Sequence, residues 1–250
     1  MKKSIFDFWS EEEYLNYKNE IDINELYGNG SNALFYSAYG NYYGKSEWMI
    51  KNGINLHILN KSKQNALFYC NHEKAKLLIE HGINVNQVDV NGESALFKAV
   101  ALSDINICQL LIDSKIDIHQ INYQGENAVY YASLKALRLL LKYGVDINQL
   151  DKHGNNALIS LDPGLYDYLK IAKCLINSGI SFEIFERDPS KLNMIDSLAV
   201  RNLVVKCISK KENQHINKII KKKASSCVGV KKRKRLWIYS CLPSKHIGNL

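Results

Sequence analysis

Apolar and polar positions recur along this chain in a phrase that appears five times: Asn32-Ala33-Leu34-Phe35, Asn65-Ala66-Leu67-Phe68, Ser94-Ala95-Leu96-Phe97, Asn127-Ala128-Val129-Tyr130 and Asn156-Ala157-Leu158-Ile159. Its alanines lie 33, 29, 33 and 29 residues apart. A near-fixed period of that size predicts a solenoid, in which each supersecondary unit buries its apolar face against its neighbours. Behind the phrases, apolar residues at helical spacing lead to the pairs Leu77-Leu78, Leu110-Leu111, Leu139-Leu140 and Leu175-Ile176. The pattern then switches to apolar, Asn or Asp, apolar, as in Ile54-Asn55-Leu56, Ile83-Asn84-Val85, Ile116-Asp117-Ile118 and Val145-Asp146-Ile147. That alternation predicts a short extended arm.

Punctuation between these segments agrees with the pattern. Two positions before each Asn or Ser stand Gly30, Lys63, Gly92, Gly125 and Gly154. Glycine there suits a turn residue with positive φ, and the Asn or Ser after it suits an N-cap whose side chain takes up free helical N–H groups. Lys63 departs from the rule, so its turn is expected to be the most strained. Gly53, Gly82, Gly144 and Gly179, with Lys115 in the fifth place, follow the apolar pairs, where a left-handed C-cap belongs. Each unit reads as turn, helix, tight link, helix, arm. Units two and four are four residues short between alanine and leucine pair, which predicts clipped first helices or links.

The combination resembles the ankyrin repeat. Asp89-x-x-Gly92 and Asp151-x-x-Gly154 open units, Gly144-Val145-Asp146-Ile147-Asn148 closes one, and Asn/Ser-Ala-Leu-Phe stands where the family usually has Thr-Pro-Leu-His. The resemblance implies an all-α fold, an ankyrin-repeat solenoid of helix-turn-helix units with short β-turn arms. The repeats fall at about 26–57, 60–88, 89–121, 122–150 and 151–183, with a degenerate capping element over 1–25 and capping helices over 184–209. Residues 210–250 are expected to form a basic, poorly ordered tail. The variant phrase and the high Ile, Asn and Lys content are more similar to ankyrin proteins of bacteria and their viruses than to metazoan ones.

Charge alters the picture only at the C-terminal end. Thirteen of the 33 Lys and Arg but one of the 25 acids fall in residues 206–250, a balance of +12 that leaves the rest of the chain at −4. The net charge of +8 therefore says little about the repeat surface. The six cysteines show no CxxC spacing and are expected as free thiols, which favours a reducing compartment. Asp7 and Glu11-Glu12-Glu13 interrupt any signal-peptide core, and no apolar run approaches the roughly 18 residues of a membrane helix. A cytoplasmic monomer, or one delivered into a host cell, is the expectation.

Candidate binding residues come from columns that repeat with the units. Phe35, Phe68, Phe97 and Tyr130 are expected to pack between helices. Tyr36, Tyr69, Lys98 and Tyr131 follow one residue later and are expected to form a ladder on the inner face, with rungs about 10 Å apart, of a residue type favoured at binding surfaces. Lys61, Val90, Tyr123 and Lys152 sit at the turn tips, where the ankyrin resemblance implies projection towards a partner protein. The sequence shows no GxxxxGK[ST], GxSxG or HExxH, so no catalytic residue, cofactor or metal site is assigned. The basic run Lys231-Lys232-Arg233-Lys234-Arg235 leaves three readings open: a solvated end, a nuclear import signal, or a grip on phosphate backbones or acidic surfaces. A nucleic-acid or nuclear adaptor working through this tail is the alternative to protein binding through the repeats.

Overall fold

An Asn or Asp at the head of a turn can fold the backbone on itself by accepting two N–H groups with one oxygen. Four of the five turns are built this way. Oδ1 of Asn60, Asp89, Asn122 and Asp151 each accepts from the residues two and four positions on, at 2.8 to 3.1 Å. The backbone closes each hairpin: Tyr27 to Ser31, Asn60 to Gln64, Asp89 to Glu93, Asn122 to Glu126 and Asp151 to Asn155, N–H to carbonyl at 2.8 to 2.9 Å. The resulting fingers require positive φ at their fourth residue, which Gly30, Gly92, Gly125 and Gly154 supply and Lys63 adopts at φ 60. At Gly92 space matters as well, because a Cβ would meet the Tyr123 ring at 2.9 Å.

The structure, a computed structural model, describes residues 22–39, 43–165 and 167–226. Unit one contains α1 (Ala33–Tyr39) and α2 (Tyr43–Lys51); unit two contains the 3-10 turn η1 (Ala66–Tyr69) and α3 (His72–Glu80). Unit three has α4 (Ala95–Ala101) and α5 (Ile105–Asp113), and unit four has η2 (Ala128–Tyr131) and α6 (Leu134–Lys142). Unit five keeps only its second helix, α7 (Tyr168–Asn177). The elements form two layers: α1, η1, α4 and η2 pack in succession as the inner one, and α2, α3, α5, α6 and α7 as the outer one. Among the described residues there is no strand beyond a single bridge, Val88 to Ser94.

The four missing residues of units two and four are thus taken from the inner helix, which shrinks to one 3-10 turn before Cys70 or Ala132 goes extended. Unit five departs from a helix-turn-helix altogether. Residues Ala157 to Ile159 make a turn, and the link through Asp162-Pro163-Gly164 runs to Asp167 before α7 starts, since a proline disfavours helical backbone before it.

Between the layers lie the phrase residues. Ala33, Ala66, Ala95, Ala128 and Ala157, the leucine or valine after each, and Phe35, Phe68, Phe97 and Tyr130 are all buried. The Asn of the phrase does more than cap. Its Oδ1 accepts from Leu34, Leu67, Val129 or Ile159 N–H, while its Nδ2 donates to the carbonyl of Asn55, Asn84, Asp146 or Ser181 in the arm of the same unit. One buried side chain therefore ties the start of a unit to its end. Ser94 is too short to do either, and its buried hydroxyl has no hydrogen-bond partner; the cap expected there is absent.

Beyond unit five come α8 (Glu183–Arg187), the 3-10 turn η3 (Pro189–Met194) and α9 (Leu198–Ser226). The first of two compact units ends at Arg201 and the second begins at Asn202, within α9. Helix runs past the boundary expected at 210, as far as Ser226. Residues 210–226 are largely polar but hold no Gly or Pro and include six Lys, a residue that helix propensity favours whether or not it is buried. The N-terminal element up to Ile21, and residues 227–250, lie outside the described residues.

Two substitutions test this account. Lys63→Gly relieves a non-glycine residue held at positive φ and should raise stability by about 1 kcal/mol in denaturant unfolding. Ser94→Asn should add a comparable amount, about 1 kcal/mol, by restoring the cap and the arm link of the other units; an unchanged midpoint would mean that the site cannot admit the carboxamide.

Candidate partner-binding face

Fingers and inner layer meet along one face, joined by the column after the buried rings. Tyr131 donates its hydroxyl to Glu126 Oε2 and accepts from Asn122 Nδ2 at 3.1 Å. Tyr69 repeats the arrangement in unit two, donating to Gln64 and accepting from Asn60 at 3.1 Å. Tyr36 meets Tyr27 edge to face at 5.0 Å. Each tyrosine of the ladder thus leans on the base of its own finger. In unit three Lys98 takes the position, and its ammonium lies 4.2 Å from the centroid of the Tyr69 ring. Burial lowers the Lys98 pKa, as expected for an ammonium partly withdrawn from water over an aromatic face.

The ladder is therefore partly consumed within the chain. Tyr69 is half-buried, and its ring also touches Phe35 at 5.8 Å; Tyr131 makes the same contact with Phe97 but keeps more of its ring exposed, as does Tyr36. The tips are freer. Lys61, Val90, Tyr123 and Lys152 are all exposed, and their backbone N–H groups donate to Asn29, Ser62, Asn91 and Gln124 of the preceding finger at 2.8 to 3.0 Å. The basic run Lys231 to Arg235 lies outside the described residues.

A further column went unrecognised in the sequence. Leu26, Leu59, Ile121 and Leu150 immediately precede the first residue of their fingers and are exposed, while Val88 in the same place is half-buried. Its signal was available as an apolar residue at a fixed offset in every unit. Read alone, however, each looks like the last apolar position of an arm. Of the 14 large hydrophobic residues exposed among the described residues, eight (these four with Val90, Tyr123, Tyr36 and Tyr131) lie on or just before the fingers or on the inner-layer residues that touch them, at 37% to 56% exposure.

The electrostatics of the face centre on units three and four. Asn122 Nδ2 reaches Glu93 Oε1 at 3.3 Å and Glu126 Oε2 at 3.0 Å, which brings two carboxylates of neighbouring fingers to one amide. Burial, then the hydrogen bond and charge of Glu126 and the charge of Glu93, push the Tyr131 phenol well above its ordinary pKa. None of this resembles a reaction centre. Cys70 and Cys108 are pushed up to about 12 chiefly by burial and so remain thiols at neutral pH. His81 caps α3, with Nδ1 at 2.9 Å from the Leu77 carbonyl. No group of three or more His, Cys, Asp or Glu among the described residues is placed to hold a metal ion.

The comparison with protein families accords with this geometry. The family described as Ankyrin repeats (3 copies) matches residues 45–122 and, overlapping them, 71–151. The chain is an ankyrin repeat protein. No curated protein matches it. Ankyrin repeats are protein–protein interaction modules without catalytic chemistry of their own, and no helix among the described residues is long and apolar enough to cross a membrane.

The Tyr131 bond can be checked by alkaline spectrophotometric titration below the unfolding pH. Replacing Tyr131 with Phe should leave the titration near pH 10 unchanged, because the native phenol ionises only above that range; loss of one tyrosine from that step would show that the Glu126 contact does not hold in solution.

Proposed function

We propose that this ankyrin repeat protein acts by occupying a partner protein, as an effector or inhibitor does, and that the partner docks across the fingers and the exposed tyrosines. The observation that supports this reading most is the concentration of exposed apolar side chains there. A stack whose core is already filled gains nothing from a leucine or isoleucine exposed at the same place in four units, and contiguous apolar surface of that kind marks interaction sites. Tyr36, Tyr123 and Tyr131 add rigid, amphipathic area with few torsions to immobilise. Lys61 and Lys152, at tips on either side of Val90 and Tyr123, suit a polar rim around an apolar centre.

Affinity capture from the native cell tests the proposal, comparing the intact protein with a Tyr36→Ala/Tyr123→Ala/Tyr131→Ala variant of unchanged circular dichroism and with a chain ending at Ser226. Anchor residues of this type cost about 1 to 2 kcal/mol each when truncated. The triple variant should therefore lose the partner protein and the shortened chain should retain it. Loss from the shortened chain alone, together with nucleic acid, would transfer the function to the basic C-terminal segment.

A further inference from the structure

On the opposite layer, the outer helices change character along the stack. The α3 helix mixes Glu73, Lys76 and Glu80, and α5 carries no Lys or Arg within its span, with Asp104 at its cap, Asp113 at its end and Lys115 beyond. Then α6 presents Lys135, Arg138 and Lys142, all exposed, without one acidic residue, and α7 adds the exposed Lys170 and Lys173. Between these two helices runs an open groove of about 340 Å³ lined by Leu134, Arg138, Lys170, Lys173, Cys174 and neighbouring Asn177. Lys170 is held by Asp167 at 2.8 Å. Arg138 and Lys173 have no ion pair among the described residues, although three exposed pairs form elsewhere among them.

We infer that the α6–α7 groove is a second docking site, independent of the finger face, for a short acidic segment of a partner protein. Charge complementarity favours an anion, since Arg138 and Lys173 line the groove without an ion pair, Lys170 is shared with Asp167 at its edge, and no carboxylate is in the lining itself. Dimensions favour a peptide. A nine-residue helix is about 13 Å long, enough for four residues of extended chain at about 3.3 Å each, and the cationic surface stops at α5, where a polynucleotide would need it to continue. The groove is also not uniformly polar. Leu134 and Cys174 are half-buried in its lining and can receive an aliphatic side chain between two acids, while the Arg138 guanidinium can take a carboxylate by two parallel hydrogen bonds.

The test is fluorescence anisotropy of the full chain with a labelled eight-residue peptide alternating Glu and Leu, at low salt. Arg138→Glu/Lys173→Glu should weaken binding about tenfold or more, from two lost attractions replaced by two repulsions. A variant with Lys231 to Arg235 all changed to Ala should bind as the parent does, and a Ser-Leu peptide should not bind. The inference is overturned if the parent fails to bind the acidic peptide, if binding is lost in the tail variant rather than the groove variant, or if a single-stranded oligonucleotide of equal charge binds as tightly through the same two residues.

Discussion

Every unit of this protein depends on hydrogen bonds that pass sideways between fingers. The N–H of the second finger residue donates to the carbonyl of the third residue of the finger before it, four times in succession from Lys61 to Lys152. Backbone groups in a turn would otherwise face water or, where buried, remain unsatisfied at appreciable cost. Glutamine side chains reinforce the zip: Gln87, Gln120 and Gln149 each donate Nε2 to the carbonyl of the fourth residue of the preceding finger, at 2.9 to 3.2 Å. Such a ladder needs a terminus. After unit five no finger follows, and Lys191 on η3 supplies both missing donations with one ammonium, to His153 at 3.0 Å and Gly154 at 2.8 Å, with a third to Asn155 Oδ1. A lysine on an unrelated turn thus replaces the edge of a sixth unit, as the ends of a solenoid require.

The spacing of the seams shows a second order, coarser than the repeat. Asn24, Asn86 and Asn148 each accept, at 2.6 to 2.7 Å, the arm N–H of the following unit. His57 and His119 occupy the same place in units one and three. At those two seams the rings meet instead, Phe35 with Tyr69 and Phe97 with Tyr131. Long and short units alternate in step, so the structural period is a pair of 62 residues, the separation of Tyr69 and Tyr131. A clipped inner helix brings its tyrosine back onto the preceding ring, and the next seam is closed by an asparagine.

Much of this was legible from the chain alone, because ankyrin architecture is written in residues with narrow physical roles. A glycine with positive φ, an asparagine before an alanine and a leucine pair before a second glycine each allow few conformations, and their coincidence at a fixed period leaves one fold. Long-range side chains were not legible. Nothing near Lys191 signals that its ammonium ends a ladder 37 residues away, nor does Lys74 reveal that it lies buried with its ammonium on the Ser37 carbonyl. Ser94 illustrates the converse limit. It satisfies the local rule for a cap, but its hydroxyl cannot span the distance that a carboxamide spans in the other four units.

Five copies in one chain also serve as an internal control on which positions the fold has claimed. The phrase alanine never changes, the residue after it is leucine or valine, and the next is aromatic in four units; all are buried. The second finger residue runs Gly28, Lys61, Val90, Tyr123 and Lys152, five exposed positions with four different residue types. Constraint therefore tracks burial column by column, as close packing demands, and the tip residues hold the stack chiefly through their backbones, with the Tyr123 ring also lying against Gly92. Their side chains are free to answer to something outside the chain. The column before them is exposed yet apolar in every unit but one, where Val88 is half-buried, so its pattern is not explained by the core. The same reasoning separates the outer layer: α5 and α6 bury equivalent leucines, Leu111 and Leu140, but carry opposite charge on the surfaces that packing leaves unspecified.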